Sequence, residues 1–230
     1  MIRDAFEWAG IKPEQAKTLP GDASTRSYFR VPRKERNAIL MVFEQDELSG
    51  TQARQFGQVH GWFSELSIPV PQILKVSNNG LFYLLEDLGD TTLETWLSQA
   101  PARNEIEEKY RYLNEYLFRI QNFPPHPLLS VFEPLAKAPL QRELLFFHKH
   151  FLRAEDSTEL SPFYEKLALE SSAKPLRASH RDYHCRNVMV HKGKLYLIDF
   201  QDARLAHPLY DIASLLYDAY YDPGDELRKI

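Results

Sequence analysis

The amino-acid sequence predicts an α+β fold built as two lobes, the first rich in strands and the second mainly helical. Three observations carry this. Short apolar or alternating runs dominate up to about residue 90, apolar residues then recur at three- and four-residue steps, and the change falls near Leu88. The expected lobes are therefore residues 1–87 and 88–230.

The first strand signal is Ser27-Tyr-Phe-Arg-Val31, which alternates. Ala38-Ile-Leu-Met-Val-Phe43 follows as a continuous apolar run flanked by charge, the pattern of a strand covered on both faces. Phe56, Val59, Phe63 and Leu66 predict a helix over Thr51–Leu66, ended by Ser67-Ile-Pro-Val-Pro71 because proline lacks the amide donor. Gln72–Val76 and Leu81–Leu85 read as strands joined by the turn residues Ser77-Asn-Asn-Gly80. Leu113, Tyr116, Leu117 and Ile120 place a helix over Glu105–Asn122, and Leu140, Leu144, Phe147 and Phe151 repeat the spacing after Phe123-Pro-Pro-His-Pro127. Val188-Met-Val190 and Leu195-Tyr-Leu-Ile198 flank His191-Lys-Gly-Lys194, a small hairpin. A last helix is expected from near Asp211, carrying Ile212, Leu215 and Leu216.

Composition removes several function classes. Apolar residues at 43% and charged residues at 26% are ordinary for a globular chain and exclude wholesale disorder. With 28 basic and 32 acidic side chains the net charge is −4, which argues against a nucleic-acid or anionic-membrane partner. The single Cys185 excludes an internal disulfide and a cysteine-built metal cage. No apolar run approaches the ~20 residues that span a bilayer. Arg3, Asp4 and Glu7 interrupt the stretch where a signal peptide needs apolar residues. The expectation is a cytoplasmic protein.

The chemistry concentrates in Ser179-His-Arg-Asp-Tyr-His-Cys-Arg-Asn187 and Leu197-Ile-Asp-Phe-Gln-Asp202. Asp182 and Asn187 precede the predicted hairpin and Asp199 follows it, so folding of the hairpin brings its two ends together. Asn and Asp oxygens are hard donors suited to Mg2+, which takes few protein ligands when phosphates supply the rest. The remaining acid, Asp182, can orient or deprotonate a hydroxyl. The five-residue step from Asp182 to Asn187, and the Asp199-Phe200 pair twelve residues later, match the kinase catalytic pattern H-R-D-x-x-x-x-N followed by a metal-binding Asp.

On these residues, together with Gly21-Asp-Ala-Ser-Thr-Arg-Ser-Tyr-Phe-Arg30 and Leu84-Leu-Glu-Asp-Leu-Gly-Asp90, the chain resembles the aminoglycoside phosphotransferase and choline kinase-like branch of the protein-kinase-like fold. Within it, the chain is most similar to bacterial anomeric kinases of N-acetylmuramate and N-acetylglucosamine in cell-wall recycling. The resemblance implies ATP and Mg2+ as cofactors and a small amino sugar as partner. It makes Asp182 the catalytic base, and Asn187 and Asp199 the metal ligands. Gly21, Ser24 and Arg26 fall in the loop that covers the nucleotide, and Glu86 and Leu88 in the linker that meets the base. Asp211 would cap the last helix and brace the catalytic loop. Aminoglycoside or choline phosphorylation, or nucleotide binding without turnover, are the alternatives.

Two departures accompany the resemblance. The third-strand lysine of many relatives is replaced by Met41, and the following helix offers only Glu65, at its far end, as a partner. Both halves of that ion pair are missing together, which leaves no single charge buried. Arg26, Arg30 or a second metal are then candidates to neutralise the phosphates. Only 31 residues follow Asp199, so the chain is expected to be a fragment or to close its acceptor pocket by another route. Other side chains are read as structural. His180 and His184 lack the helix and Glu of a zinc pair. His148 and His150 are expected at the surface, Cys185 as an incidental thiol open to alkylation, and Trp8, Trp62 and Trp96 in packing.

Overall fold

Ala38–Phe43 lies at the centre of an antiparallel sheet in the computed structural model, which describes residues 1–19, 26–33, 36–122, 133–153, 159–172 and 175–229. The strands are β1 (Lys17–Leu19), β2 (Arg26–Arg33), β3 (Arg36–Phe43), β4 (Ile73–Val76) and β5 (Phe82–Glu86), in the order β1-β2-β3-β5-β4. Met41 of β3 pairs with Tyr28 of β2 on one side and Tyr83 of β5 on the other. Both faces of β3 are covered, which accounts for its unbroken apolar run. Ala38, Leu40 and Val42 share a core with Ala5 and Phe6 of a helix at the start of the chain, α1 (Ile2–Ala9). Phe43, on the opposite face, meets Phe56 of α2 (Glu47–Glu65) at a ring separation of 6.5 Å.

The helix α2 begins before the expected Thr51. Asp46 is its N-cap, and its carboxylate accepts from the Ser49 amide at 2.9 Å and the Ser49 hydroxyl at 2.6 Å. Such a cap satisfies an amide that has no partner inside the helix, so it sets the start ahead of the apolar stripe. The Tyr83 hydroxyl donates to the Ala53 carbonyl at 2.8 Å and fastens this helix to the sheet.

The chain clusters into two compact units, Met1–Pro101 with Arg186–Asp202, and Ala102–Cys185 with Ala203–Ile230. The first unit adds to the sheet a short helix α3 (Leu93–Leu97) and the predicted hairpin, β7 (Val188–His191) and β8 (Lys194–Leu197). Lys192 and Gly193 turn the hairpin with φ of 50° and 78°, the two positive values that a tight two-residue turn requires. The Val190 amide donates to the Thr91 carbonyl at 2.8 Å and the Leu197 amide to the Pro69 carbonyl at 2.9 Å. These bonds tie the hairpin to the segments flanking the sheet.

In the second unit α4 (Arg103–Asn122) buries Ile106, Tyr110, Leu113, Tyr116, Leu117 and Ile120, the face its periodicity predicted. Two further helices, α5 (Lys137–His150) and α6 (Ser161–Ser172), are joined by a His148–Tyr164 hydrogen bond of 3.0 Å. His148 is 4% exposed, against the expectation of a surface residue. It turns inward because Tyr164 offers a buried hydroxyl as partner. Two three-residue strands, β6 (Arg177–Ser179) and β9 (Arg204–Ala206), pair antiparallel. The helices α7 (Tyr210–Leu216) and α8 (Gly224–Leu227) complete the unit. Phe123–Pro127, read from the sequence as a helix breaker, lies outside the described residues. No helix among the described residues is long and apolar enough to cross a membrane.

Candidate active site

The hairpin does what its length requires: Val188 pairs with Leu197, and just beyond that pair the Ile198 amide donates to the Asn187 carbonyl at 3.0 Å. Asn187 and Asp199 are thereby set side by side at the open end of the hairpin, and both line one cavity of about 490 Å³. Asp199 has a φ of 60°, in the left-handed region that aspartate visits more readily than most residues. The next residue holds it there. The Phe200 ring stacks on Phe56 at 5.0 Å and lies 5.6 Å from Phe63, so the turn is anchored on α2.

The cavity is lined wholly by residues of the first unit. Leu19, Ile39, Met41, Leu85, Met189 and Ile198 give it apolar walls, while Arg26, Asn187, Asp199 and Gln201 give it polar groups. An apolar slot joined to a few placed polar groups suits a small ligand with one flat apolar part and one charged part. Arg26, Tyr28 and Arg30 alternate along β2 and all line the cavity. Period-two spacing was the signal that could have added Tyr28 to the site from sequence. Burial, opposed by Arg26 and reinforced by Asp199, pushes the Tyr28 phenol up to about 12.

Met41 is 1% exposed and sits in the wall of this cavity. No lysine is among the lining residues, and the cations present are Arg26, Arg30 and Arg186. Arg30 is held by two carboxylates. Its Nε lies 2.7 Å from Asp87 Oδ2, its Nη2 donates to Asp87 Oδ1 at 3.0 Å, and Nη1 lies 2.9 Å from Asp90. Arg186 pairs with both oxygens of Glu94, at 2.9 and 3.0 Å. Arg26 Nη2 donates to Asp199 Oδ1 at 3.0 Å. Gln201 Nε2 donates to the same oxygen at 2.9 Å.

Glu86 and Leu88 both line the cavity. The Glu86 amide donates to the Gln72 carbonyl at 2.8 Å, and the Leu88 carbonyl bonds to His191 Nδ1 at 2.9 Å. These two main-chain groups are already engaged within the chain. Gly21 and Ser24 lie outside the described residues.

In the second unit Asp182 sits on the loop after β6. That loop is built around a buried carboxylate, Asp211. Asp211 Oδ1 accepts from the Ser179 hydroxyl at 2.7 Å and the Arg181 amide at 3.0 Å, and Oδ2 accepts from the His180 amide at 2.7 Å. Arg181 is fixed at a φ of 81° and its guanidinium donates to Glu143 at 3.0 Å. Asp211 is not the cap of α7, as expected, because Leu209 holds that position and Asp211 lies inside the helix. Its carboxylate serves the loop instead. Burial pushes the Asp211 carboxyl up to about 6, against the opposing pull of its three donors and with the Asp182 charge adding to the rise.

Two hard oxygen donors, Asn187 and Asp199, stand together at one hairpin end, and the buried Gln201 Oε1 beside them has no hydrogen-bond partner among the described residues. This donor set fits Mg2+. No group of three His, Cys, Asp or Glu side chains suited to a metal ion occurs among the described residues. His180 is fully buried, its ring 5.6 Å from that of Tyr183. The Cys185 thiol is also fully buried, so it is not the open alkylation target expected from the sequence. Its amide donates to Asp218 at 2.7 Å, which keeps the residue turned inward.

The chain is 27% identical over 221 residues to an N-acetylmuramate/N-acetylglucosamine kinase of Pseudomonas aeruginosa, covering 93% of this chain and 62% of that protein. It is 28% identical over 216 residues to a protein of the same name from Neisseria meningitidis, covering 89% and 62%. The chain thus spans about three fifths of the length of these relatives. Among solved structures it resembles the ADP-bound aminoglycoside phosphotransferase APH(2'')-Ib, with a TM-score of 0.72 at 17% identity over 99% of this chain and 79% of that one. It also resembles APH(2'')-IIa in its ternary complex with streptomycin and ATP, with a TM-score of 0.69 at 16% identity, covering 98% and 78%. The fold is therefore protein-kinase-like, as the sequence predicted. Residues 15–230 match the model of the phosphotransferase enzyme family, and the chain belongs to that family.

Proposed function

We propose that this chain is an ATP-dependent kinase that phosphorylates the anomeric hydroxyl of an amino sugar of the N-acetylmuramate or N-acetylglucosamine type. The observation that carries the reading is the juxtaposition of Asn187 and Asp199 at one hairpin end, in a cavity with apolar walls and three arginines. The names of the relatives from Pseudomonas aeruginosa and Neisseria meningitidis support the acceptor class.

In this reading the adenine occupies the apolar slot against Met41, Ile39 and Leu85. Asn187 and Asp199 hold Mg2+, which supplies charge neutralisation on the phosphates when bound. Asp182 accepts the proton of the sugar hydroxyl as the oxygen attacks phosphorus, a task that needs a carboxylate placed within hydrogen-bond reach. The three donors to Asp211 keep the loop that carries Asp182 in one conformation, so that little reorganisation is left for the reaction itself. Phe200, stacked on Phe56, does the same for Asp199.

The test is ADP release from Mg·ATP with N-acetylmuramate, N-acetylglucosamine, choline and an aminoglycoside in turn, each against the Asp182→Asn variant. Turnover with the two amino sugars alone is the expected result. Turnover with only the aminoglycoside or choline moves the acceptor class. Nucleotide binding with no turnover above the variant leaves a nucleotide-binding protein without kinase activity.

A further inference from the structure

Of the three cations that line the cavity, two are fixed by carboxylates with no place in the proposed metal site. Arg30 is gripped by Asp87 and Asp90, and Asp87 is itself held by the Gly89 amide at 2.9 Å. Arg186 is bidentate on Glu94. Arg26 differs, because its guanidinium lies on Asp199, one of the two oxygen donors that suit a divalent cation. The Arg26 side chain is 9% exposed, and Met41, paired with Tyr28, puts an uncharged side chain in the cavity wall on the neighbouring strand.

We propose that Arg26 is a metal-responsive positioning residue: it neutralises Asp199 while the metal is absent and turns to the nucleotide phosphates when a divalent cation takes that carboxylate. The inference rests on the kinase reading above and assigns the task of the missing strand lysine to β2. Charge accounts for the exchange. A guanidinium and a divalent cation compete for the same Asp199 oxygens, and the cation is the stronger charge. With the cation bound, the region gains positive charge that only an anionic ligand can match, and phosphate oxygens are good acceptors for a planar guanidinium. The metal and the phosphates are then coupled through one side chain, each favouring the other. Gln201 remains on Asp199 Oδ1 through its amide, so the carboxylate keeps its orientation when Arg26 leaves.

The experiment is calorimetric titration of the parent chain, Arg26→Met and Arg26→Lys with three probes: Mn2+ alone, Mg·ADP and adenosine. For Arg26→Met, Mn2+ alone is expected to bind at least about threefold tighter, because its competitor is gone. Mg·ADP is expected to bind about tenfold or more weaker, the loss of one charge-assisted hydrogen bond. Adenosine is expected to bind unchanged. Arg26→Lys keeps the charge but not the planar fork, and should lose less Mg·ADP affinity than Arg26→Met. A folding defect would weaken all three probes together, so opposite signs for Mn2+ and Mg·ADP separate the proposal from a merely structural role. Weakening of Mn2+ and Mg·ADP in parallel, no change in either, or equal losses in the Lys and Met variants would overturn it. If the parent binds neither Mg·ADP nor adenosine, the kinase reading fails by itself, and the Mn2+ arm still reports whether Arg26 competes for Asp199.

Discussion

Replacement of Asp211 by Asn tests the carboxylate around which the loop bearing Asp182 is folded. Asp211 is 1% exposed and its carboxyl is pushed up to about 6 from an ordinary 3.8, chiefly by burial. Between those values the folded protein holds a proton that the unfolded chain has released. Stability from this group is therefore fully present below about pH 4 and is lost as pH rises through about 6. A rise of about two units, at ~1.4 kcal/mol each, makes the loss about 3 kcal/mol. Asn does not titrate, but its amide presents N–H groups where one carboxylate oxygen accepted. Either the His180 amide or the Ser179 and Arg181 donors then lose their acceptor, at about 1–3 kcal/mol for a buried donor left unsatisfied. The two effects predict a stability difference that changes with pH. Asp211→Asn should be about 1–3 kcal/mol less stable than the parent near pH 4 and should draw level with it, or pass it, by pH 7. Urea unfolding of both proteins across that range measures the difference, in which titrating groups not coupled to Asp211 cancel. A difference that stays flat, or widens as pH rises, would show that Asp211 is not held protonated by burial.

Met41→Ala should leave kcat within about tenfold of the parent, because the thioether contributes wall and no charge, while stability falls by about 2–3 kcal/mol for a buried methionine; a turnover as low as that of Asp182→Asn would contradict this. Arg30→Met should cost about 1–3 kcal/mol in urea unfolding, since it leaves the partly buried Asp87 carboxylate without its guanidinium, and the double variant Arg30→Met/Asp87→Leu should recover most of that loss. The Cys185 thiol should be silent to a chromogenic disulfide reagent in the native protein and react at the rate at which the chain opens; immediate reaction would show that the loop is open at rest.

How much of this was legible beforehand followed from where the information sits. The unbroken run Ala38–Phe43 announces a strand covered on both faces, and Lys192-Gly193 announces a hairpin that must juxtapose what precedes and follows it, so Asn187 and Asp199 were found together from sequence alone. The periodic face of α4 was equally plain. The strands β1, β6 and β9 were not, because three residues carry no period and exist only through a partner elsewhere in the chain. The early start of α2 was hidden in a cap, a local hydrogen bond with no hydrophobic signature. The same limit applies at the site. Arg26 meets Asp199 across 173 residues and Arg30 meets Asp87 across 57, and nothing in either local sequence specifies the pairing. Asp211 was placed correctly behind the loop but was given the wrong helix position, since an acidic residue at a helix start reads as a cap whether its oxygens face the helix or a neighbouring loop.

The proposed function requires transfer of a phosphoryl group from Mg·ATP to the anomeric oxygen of an amino sugar, with Asp182 as the base. Phosphorus NMR of the chain incubated with Mg·ATP and N-acetylmuramate tests it most directly. Loss of the γ-phosphoryl resonance, an equal gain of ADP, and a new sugar phosphate signal coupled to the anomeric proton are expected, all absent with Asp182→Asn. Unchanged ATP, or release of inorganic phosphate with no sugar phosphate formed, would contradict it.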